Sequence, residues 1–135
     1  MIKLFVFDTS SLISAFLFPN SIPRKALNKA INSGILVLST QTYSEFEDVI
    51  LRSKFDRYLI PLRKQEALNK IRDIAFSVNV QETITDCRDF KDNKFLELAV
   101  SASDSCIITG DEDLLVLNPF RSIPILNVAD FLIEF

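Results

Sequence analysis

Histidine is absent from this 135-residue chain, and cysteine and glycine occur only twice each. Without histidine, Cys87 and Cys106 lack the partners that zinc sites and cysteine–histidine nucleophiles need, and their spacing is not that of a metal site. Gly34 and Gly110 are too few for a P-loop or a G-x-G-x-x-G turn. The sequence therefore argues against zinc, cysteine catalysis and these nucleotide-binding motifs, and we expect both cysteines to be free thiols.

Linkers, repeats and low-complexity segments are also missing, and 48% of the residues are hydrophobic. This composition predicts one globular domain over residues 1–135. The opening "MIKLFVFDTSSLISAFLF" resembles a secretory signal, but Asp8 interrupts it and no small-residue cleavage site follows. We therefore expect a cytoplasmic protein without a membrane span.

An excess of positive charge is lacking too, since the net charge is −3, which argues against a simple basic nucleic-acid binder. The charges are nevertheless polarised along the chain. Residues 20–72 carry ten Lys/Arg against five Asp/Glu, and residues 73–135 carry four against twelve. Solvated helix faces explain any single charge better than they explain this asymmetry.

What the chain does contain is an alternation of short apolar runs with helical patterns. Such runs, without polar alternation, are typical of parallel strands covered on both faces. The pattern predicts a three-layer α/β/α domain with a central, mostly parallel sheet of about five strands and right-handed crossovers. The strands are predicted at 2–7, 35–39, 77–80, 106–109 and 123–126, and the helices at 10–18, 23–33, 40–54, 62–76, 92–103 and 128–134.

Four acids have positions that suggest a site. Asp8 and Asp111 follow predicted strands, where open α/β sheets place their ligands, while Glu45 lies early in one helix and Asp92 opens another. Each has a purely structural alternative: helix capping for Asp8, Asp111 and especially Asp92, and a solvated helix position for Glu45. Asp48, Asp89 and Asp113 are interpreted as caps, surface acids or neighbours of a site.

Carboxylates gathered in one cleft repel each other unless a cation lies among them. An all-oxygen set of this kind suits Mg²⁺ or Mn²⁺. Such an ion lowers the pKa of a bound water and stabilises charge on a phosphoryl group, so that hydrolysis needs no protein nucleophile.

Three segments together resemble the PIN domain family, in particular the bacterial PIN-type toxins related to VapC. They are "FVFDTSSLISAFLFPNSIPRKAL", "STQTYSEFEDVILRSKF" and "CRDFKDNKFLELAVSASDSCIITGDEDLLVL", and they cover nearly the whole chain. The resemblance implies that Asp8, Glu45, Asp92 and Asp111 bind Mg²⁺ or Mn²⁺, with Asp113 as a fifth ligand or a supporting acid. Thr9 and Thr109 match hydroxyl residues that accompany the strand-end acids, whereas Ser10 stands where relatives commonly have Asn.

The resemblance further implies a metal-dependent endoribonuclease that leaves a 5′-phosphate and a 3′-hydroxyl, a cognate antitoxin and a homodimer. The polarised charge adds a prediction that the basic segment contacts RNA phosphates. The residues proposed for that contact are Arg24, Lys25, Arg52, Lys54, Arg57, Arg63 and Lys64.

Other functions remain open. A haloacid-dehalogenase-like phosphohydrolase would need D-x-D-x-T, but Ser10 occupies the second Asp position. A PIN module that only binds RNA or a partner would be expected to have lost an acid, and all four are present. A housekeeping RNA-processing nuclease is the alternative to a toxin.

Overall fold

The computed structural model describes residues 2–103 and 105–135. Across these two ranges, no helix is both long enough and apolar enough to cross a membrane. Short 3-10 turns lie at Ser53–Phe55 and Phe90–Asp92. The strands and helices, in chain order, are β1 Lys3–Phe7, α1 Thr9–Leu17, α2 Ile22–Ser33, β2 Gly34–Leu38, α3 Thr40–Ile50, α4 Pro61–Ile74, β3 Phe76–Ser77, α5 Asn93–Ala102, β4 Ser105–Ile108, α6 Glu112–Leu115, β5 Ile125–Leu126 and α7 Val128–Glu134.

The five strands form one parallel sheet in the order β3-β2-β1-β4-β5. The chain progresses outward from β1 in both directions, so the order reverses between β1 and β4. This arrangement confirms the predicted three-layer α/β/α fold with a parallel sheet. Ligands of open α/β sheets bind beside the carboxyl ends of the two strands at such a reversal.

Alternate side chains of β1, β2, β4 and β5 enter different hydrophobic clusters, one on each face of the sheet. In β1, Phe5 and Phe7 pack into the cluster that α1, α2, α3, α4 and α7 cover. Val6, between them, packs into the second cluster, which α5 and apolar residues of the β4–β5 connection, including Leu114 and Phe120, cover. Both faces of the sheet are therefore covered by apolar side chains, which explains why the strand sequences are continuous apolar runs.

Gly34 marks the point where α2 ends and β2 begins, as the sequence indicated. A Cβ at this position would lie 2.1 Å from the carbonyl oxygen of Lys3, the residue that pairs with Gly34 across β1 and β2. Only glycine permits this approach without moving the backbone. The pairing of β1 with β2 therefore depends on a residue without a side chain.

Four elements differ clearly from the sequence prediction. Helix α3 ends at Ile50 rather than at residue 54, because Arg52 is extended and its carbonyl accepts a hydrogen bond from the Lys64 ammonium instead of continuing the helix. Strands β3 and β5 each have two residues, fewer than predicted. The four-residue helix α6 was not predicted.

Cys87 and Cys106 are both free and buried, which confirms the sequence prediction. Burial raises the pKa of the Cys106 thiol to about 12, and burial also raises the pKa of Cys87. Both thiols are therefore protonated at neutral pH, and they pack as small apolar side chains.

Candidate active site

Asp8 and Asp111 follow the adjacent strands β1 and β4, and one buried threonine links them. The Thr109 hydroxyl donates a hydrogen bond to Asp8 Oδ2 at 2.5 Å and accepts one from the Asp111 backbone N–H at 3.0 Å. Thr109 is fully buried and Asp8 is 6% exposed. The spacing between the two acids is therefore fixed by a side chain that cannot move without breaking two hydrogen bonds.

Both strand-end acids also cap the helices that follow them. Asp8 Oδ1 accepts a hydrogen bond from the Ser11 backbone N–H at 2.9 Å, and Asp111 Oδ1 accepts one from the Asp113 backbone N–H at 2.8 Å. The capping alternative is thus correct for these two residues. It does not remove them from a site, because both side chains also line the same cleft.

Asp92, unlike Asp8 and Asp111, does not cap the helix that follows it. Although it stands at the N-cap position of α5, its side chain makes no capping hydrogen bond, and its Oδ2 is buried without a hydrogen-bond partner among residues 2–103 and 105–135. Burial, then the proximity and charge of the Asp111 carboxylate, and then the charge of Asp89, raise the pKa of Asp92 to about 7. The capping interpretation of Asp92 is therefore wrong.

Asp89 joins this group, although no pattern in the sequence selects it as a ligand. Carboxylate oxygens of Asp89, Asp92 and Asp111 all lie within 4.8 Å of one another. The 3-10 turn Phe90–Asp92 brings Asp89 and Asp92 together. The D-x-x-D spacing immediately before a helix is the one signal that could have pointed to this pair.

Glu45 reaches the cleft from α3 and is held by two side chains. Thr9 donates its hydroxyl hydrogen bond to Glu45 Oε1, and Lys94 Nζ lies 2.8 Å from Oε2. The Glu45 side chain is 26% exposed and the Lys94 side chain 19% exposed. The solvated interpretation of Glu45 is therefore wrong, since its carboxylate is oriented by α1 and α5.

Asp113, expected as a fifth ligand or a supporting acid, has a different partner. Its Oδ1 pairs with Arg88 Nε at 3.1 Å, and its side chain does not line the cleft. This geometry does not support a ligand role for Asp113. Its backbone N–H remains the group that fixes the Asp111 carboxylate.

The acids open into a cleft of about 1030 Å³ that runs beside α1. Asp8 lies at the N-terminal end of this helix and Phe18 at its C-terminal end. Beyond the acids, the lining includes side chains of the α3–α4 connection: Arg52, Lys54, Phe55 and Tyr58. The cleft therefore continues from the acidic strand ends toward aromatic and basic side chains.

The seven basic residues that were expected to contact RNA divide into distinct groups. Arg52 and Lys54 line the cleft, and the Arg57 guanidinium lies over the Tyr58 ring. Lys25 and Arg63 are exposed outside the cleft. Arg24 is half-buried and donates a hydrogen bond to the Ala15 carbonyl.

The structure corrects the prediction that Lys64 contacts an RNA phosphate. It is 1% exposed, and its Nζ donates to Asp56 Oδ1 at 2.6 Å and to the Arg52 carbonyl at 2.9 Å. An ammonium enclosed in this way cannot contact a phosphate. Lys64 instead ties the α3–α4 connection to helix α4.

The three-acid group fits a hard divalent cation. It offers only carboxylate oxygens, and one of them, Asp92 Oδ2, is buried without a partner. Neighbouring carboxylates in a partly dry site repel each other, which an ion with two positive charges would relieve. Oxygen ligands of this kind suit Mg²⁺ and Mn²⁺ better than zinc or copper.

A parallel α/β/α sheet with an acidic group at its strand reversal defines the class of open α/β domains that bind ligands at this point, and sequence comparison identifies the family. The PIN domain family matches residues 5–113, and the chain belongs to this family. An uncharacterized protein of Methanocaldococcus jannaschii, MJ1680, is 34% identical over 114 residues, which cover 83% of this chain and 73% of that protein.

Proposed function

We propose that this protein is a metal-dependent endoribonuclease that hydrolyses phosphodiester bonds of RNA. The observation that carries the proposal is the buried, partnerless Oδ2 of Asp92 within the Asp89, Asp92 and Asp111 group. A purely structural acid at this position would cap α5, and Asp92 does not. The PIN fold supports the proposal, because PIN domains are generally metal-dependent nucleases.

The proposed ligands are Asp92 and Asp111, with Asp89 as a third acid within reach. A bound Mg²⁺ or Mn²⁺ would polarise a phosphoryl oxygen and lower the pKa of a bound water. Asp8 is held in one orientation by the Ser11 N–H and the Thr109 hydroxyl. It is proposed as a carboxylate that orients the attacking water or an ion-bound water.

Glu45 is the remaining acid of the proposed active site. Thr9 and Lys94 fix its two oxygens, so that its position does not depend on solvent. Neither free cysteine lines the cleft, and histidine is absent, so water is the proposed nucleophile. Hydrolysis by water is consistent with the proposed products, a 5′-phosphate and a 3′-hydroxyl.

An RNA-cleavage assay with Mg²⁺, with Mn²⁺ and with EDTA tests the proposal. Asp92→Asn, Asp111→Asn and Asp8→Asn are each expected to abolish cleavage. Asp73→Asn is the matched control, because Asp73 is an exposed acid of α4 outside the cleft. Full activity in EDTA, or in the Asp92 and Asp111 variants, would contradict the proposed mechanism.

The proposed biological role is that of a toxin in a toxin–antitoxin system, acting as a homodimer that a cognate antitoxin inhibits. Its support is the similarity of the three sequence segments to VapC-related proteins. Induced expression is expected to arrest growth, and Asp92→Asn is expected to abolish the arrest. Growth that is unaffected by an active enzyme would favour housekeeping RNA processing instead.

A PIN module that binds RNA without cleaving it is the other candidate. The same assay distinguishes it, because such a module would bind RNA in EDTA and leave it intact when metal is added. Calorimetry with Mn²⁺ alone adds a second readout. Metal binding that requires Asp92 and Asp111 would support the site independently of activity.

A further inference from the structure

Two aromatic side chains in the cleft form a pair that the acidic group does not explain. The ring centres of Phe18 and Tyr58 lie 5.2 Å apart in an edge-to-face arrangement, and the two residues are 43% and 47% exposed. Buried aromatic pairs stabilise a core, but rings that are half exposed leave a large apolar surface in water. Both rings line the same cleft as Asp8, Glu45, Asp92 and Asp111.

Positive charges accompany these rings. The Arg57 guanidinium lies 5.1 Å from the centre of the Tyr58 ring, and the Lys54 ammonium lies 5.1 Å from the centre of the neighbouring Phe55 ring. Lys54 and Arg57 are exposed. Aromatic faces next to exposed cations are the combination that single-stranded nucleic-acid sites use, with bases stacked on rings and phosphates near cations.

We infer that Phe18 and Tyr58 form a stacking subsite for an unpaired RNA base, with Lys54 and Arg57 beside the adjoining phosphates. This inference rests on the proposed nuclease function and identifies where its substrate is held outside the acidic group. The exposed aliphatic side chains Ile22 and Leu62 lie outside the cleft. Phe18 and Tyr58 pack against each other inside the acid-lined cleft, whereas the exposed ring of Phe76 lies outside it, so their position favours a role toward the substrate of the cleft.

Helix α1 sets the distance between the subsite and the cut. Asp8 caps one end of this helix and Phe18 the other, a separation of about 15 Å at about 1.5 Å per residue. This separation is longer than one nucleotide even at the duplex rise of about 3.4 Å, so the subsite holds the strand away from the phosphodiester bond at the acids rather than holding the reacting nucleotide.

The test measures binding of a short oligouridylate and of the same backbone with abasic spacers, both in EDTA, where no cleavage occurs. Tyr58→Leu and Phe18→Leu are each expected to weaken oligouridylate binding about fivefold or more. Both variants are expected to bind the abasic probe as the wild-type protein does. Phe76→Leu is the matched control, since Phe76 is 62% exposed on β3, outside the cleft.

Charge variants give a complementary result. A Lys54→Gln, Arg57→Gln double variant is expected to weaken binding of both probes equally. It is also expected to reduce the salt dependence of binding by about 0.7 log unit for each phosphate that is no longer neutralised. A binding defect confined to the base-containing probe separates stacking from charge.

Two results would overturn the inference. Unchanged oligouridylate affinity in Tyr58→Leu and Phe18→Leu would show that the rings do not stack on RNA bases and would favour an interface with another protein. Equal losses for both probes would show that the rings only support the local structure. Neither result depends on cleavage, so a protein that stacks bases but never cuts RNA would retain the subsite and refute the proposed activity.

Discussion

The Lys94 ammonium lies 2.8 Å from the carboxylate of Glu45, an acid that lines the cleft, and so places a positive charge beside the acidic site. Burial and the neighbouring acids raise the pKa of Asp92, and the same ammonium opposes them by a smaller amount. Lys94 therefore offsets part of the repulsion that a divalent ion would otherwise relieve. A cation bound in the cleft would be repelled by this neighbouring ammonium.

Lys94→Gln is accordingly expected to bind Mn²⁺ more tightly than the wild-type protein. Removing one unit charge near a solvated site changes the free energy by on the order of 1 kcal/mol, or about fivefold in affinity. Calorimetry at low ionic strength measures the difference, and Lys70→Gln is the control because Lys70 is an exposed lysine of α4. Weaker binding would mean that the ion pair orients Glu45 as a ligand.

The raised pKa of Asp92 predicts how the stability of the metal-free protein depends on pH. The folded carboxyl retains its proton up to about pH 7, whereas the unfolded chain loses it near the ordinary value of 3.8. Between these values the folded state binds more protons, so this contribution to the free energy of unfolding falls as pH rises. The stabilisation is complete below about pH 4 and lost above about pH 7.

Asp92→Asn lacks this titration, so its stability relative to the wild-type protein is expected to increase from about pH 4 to about pH 8. The expected gain exceeds about 1.4 kcal/mol, the equivalent of one pKa unit. Urea unfolding in EDTA measures it, with Asp73→Asn as the control. Parallel pH profiles for the wild type and Asp92→Asn would show that Asp92 ionises normally.

Asp89 and Asp113 provide a matched pair of acids close to the metal site. Asp89→Asn is expected to weaken Mn²⁺ binding, because its carboxylate belongs to the three-acid group. Asp113→Asn is expected to have a smaller effect, because its side chain pairs with Arg88 instead. Mn²⁺ titration of both variants checks the order, and a larger effect of Asp113→Asn would reverse the assignment.

Thr109→Val keeps the shape of a buried side chain and removes the hydroxyl that links two acids. Loss of this hydroxyl leaves Asp8 Oδ2 and the Asp111 N–H without this partner, which is expected to cost about 1–3 kcal/mol of stability. Cleavage is expected to fall as well, because Asp8 loses its orientation. Thr109→Ser restores the hydroxyl and is expected to recover both properties, whereas a defect in Thr109→Ser as large as in Thr109→Val would assign the effect to packing.

The sequence predicted the parallel sheet and two of its acids because both follow from chain-local patterns. Apolar runs without alternation indicate strands that are covered on both faces, and acids directly after such strands lie at one edge of the sheet. Asp8 and Asp111 are in this position. Their linkage through Thr109 requires only that β1 and β4 are neighbours, which is the usual consequence of a strand reversal.

Asp89 was missed because a local hydrogen bond in an irregular segment places it. The backbone N–H of Cys87 donates to Asn93 Oδ1 at 2.8 Å, and this bond folds the segment before α5 back onto the helix. The pairing of Phe18 with Tyr58 was missed because it joins residues that are far apart in the chain. Neither relationship leaves a periodic signal in the sequence.

The burial of Lys64, by contrast, could have been predicted. It precedes Ala67, Leu68 and Ile71 at intervals of three, four and seven residues, and all three are buried. Residues at these spacings share one face of a helix. The positive charge of Lys64 suggests a phosphate contact, but its position on the apolar face of α4 is the more informative feature.

The tether that Lys64 makes has a consequence for mutational scans of this protein. Lys64 holds the carbonyl of Arg52, at the start of the connection that carries Lys54 and Tyr58. Lys64→Met would release that connection and weaken RNA binding without touching RNA. A scan scored only by affinity would count Lys64 as a phosphate contact. A measurement of unfolding would expose the error, because removing the buried Lys64 tether lowers the stability of the protein, whereas removing an exposed phosphate contact does not.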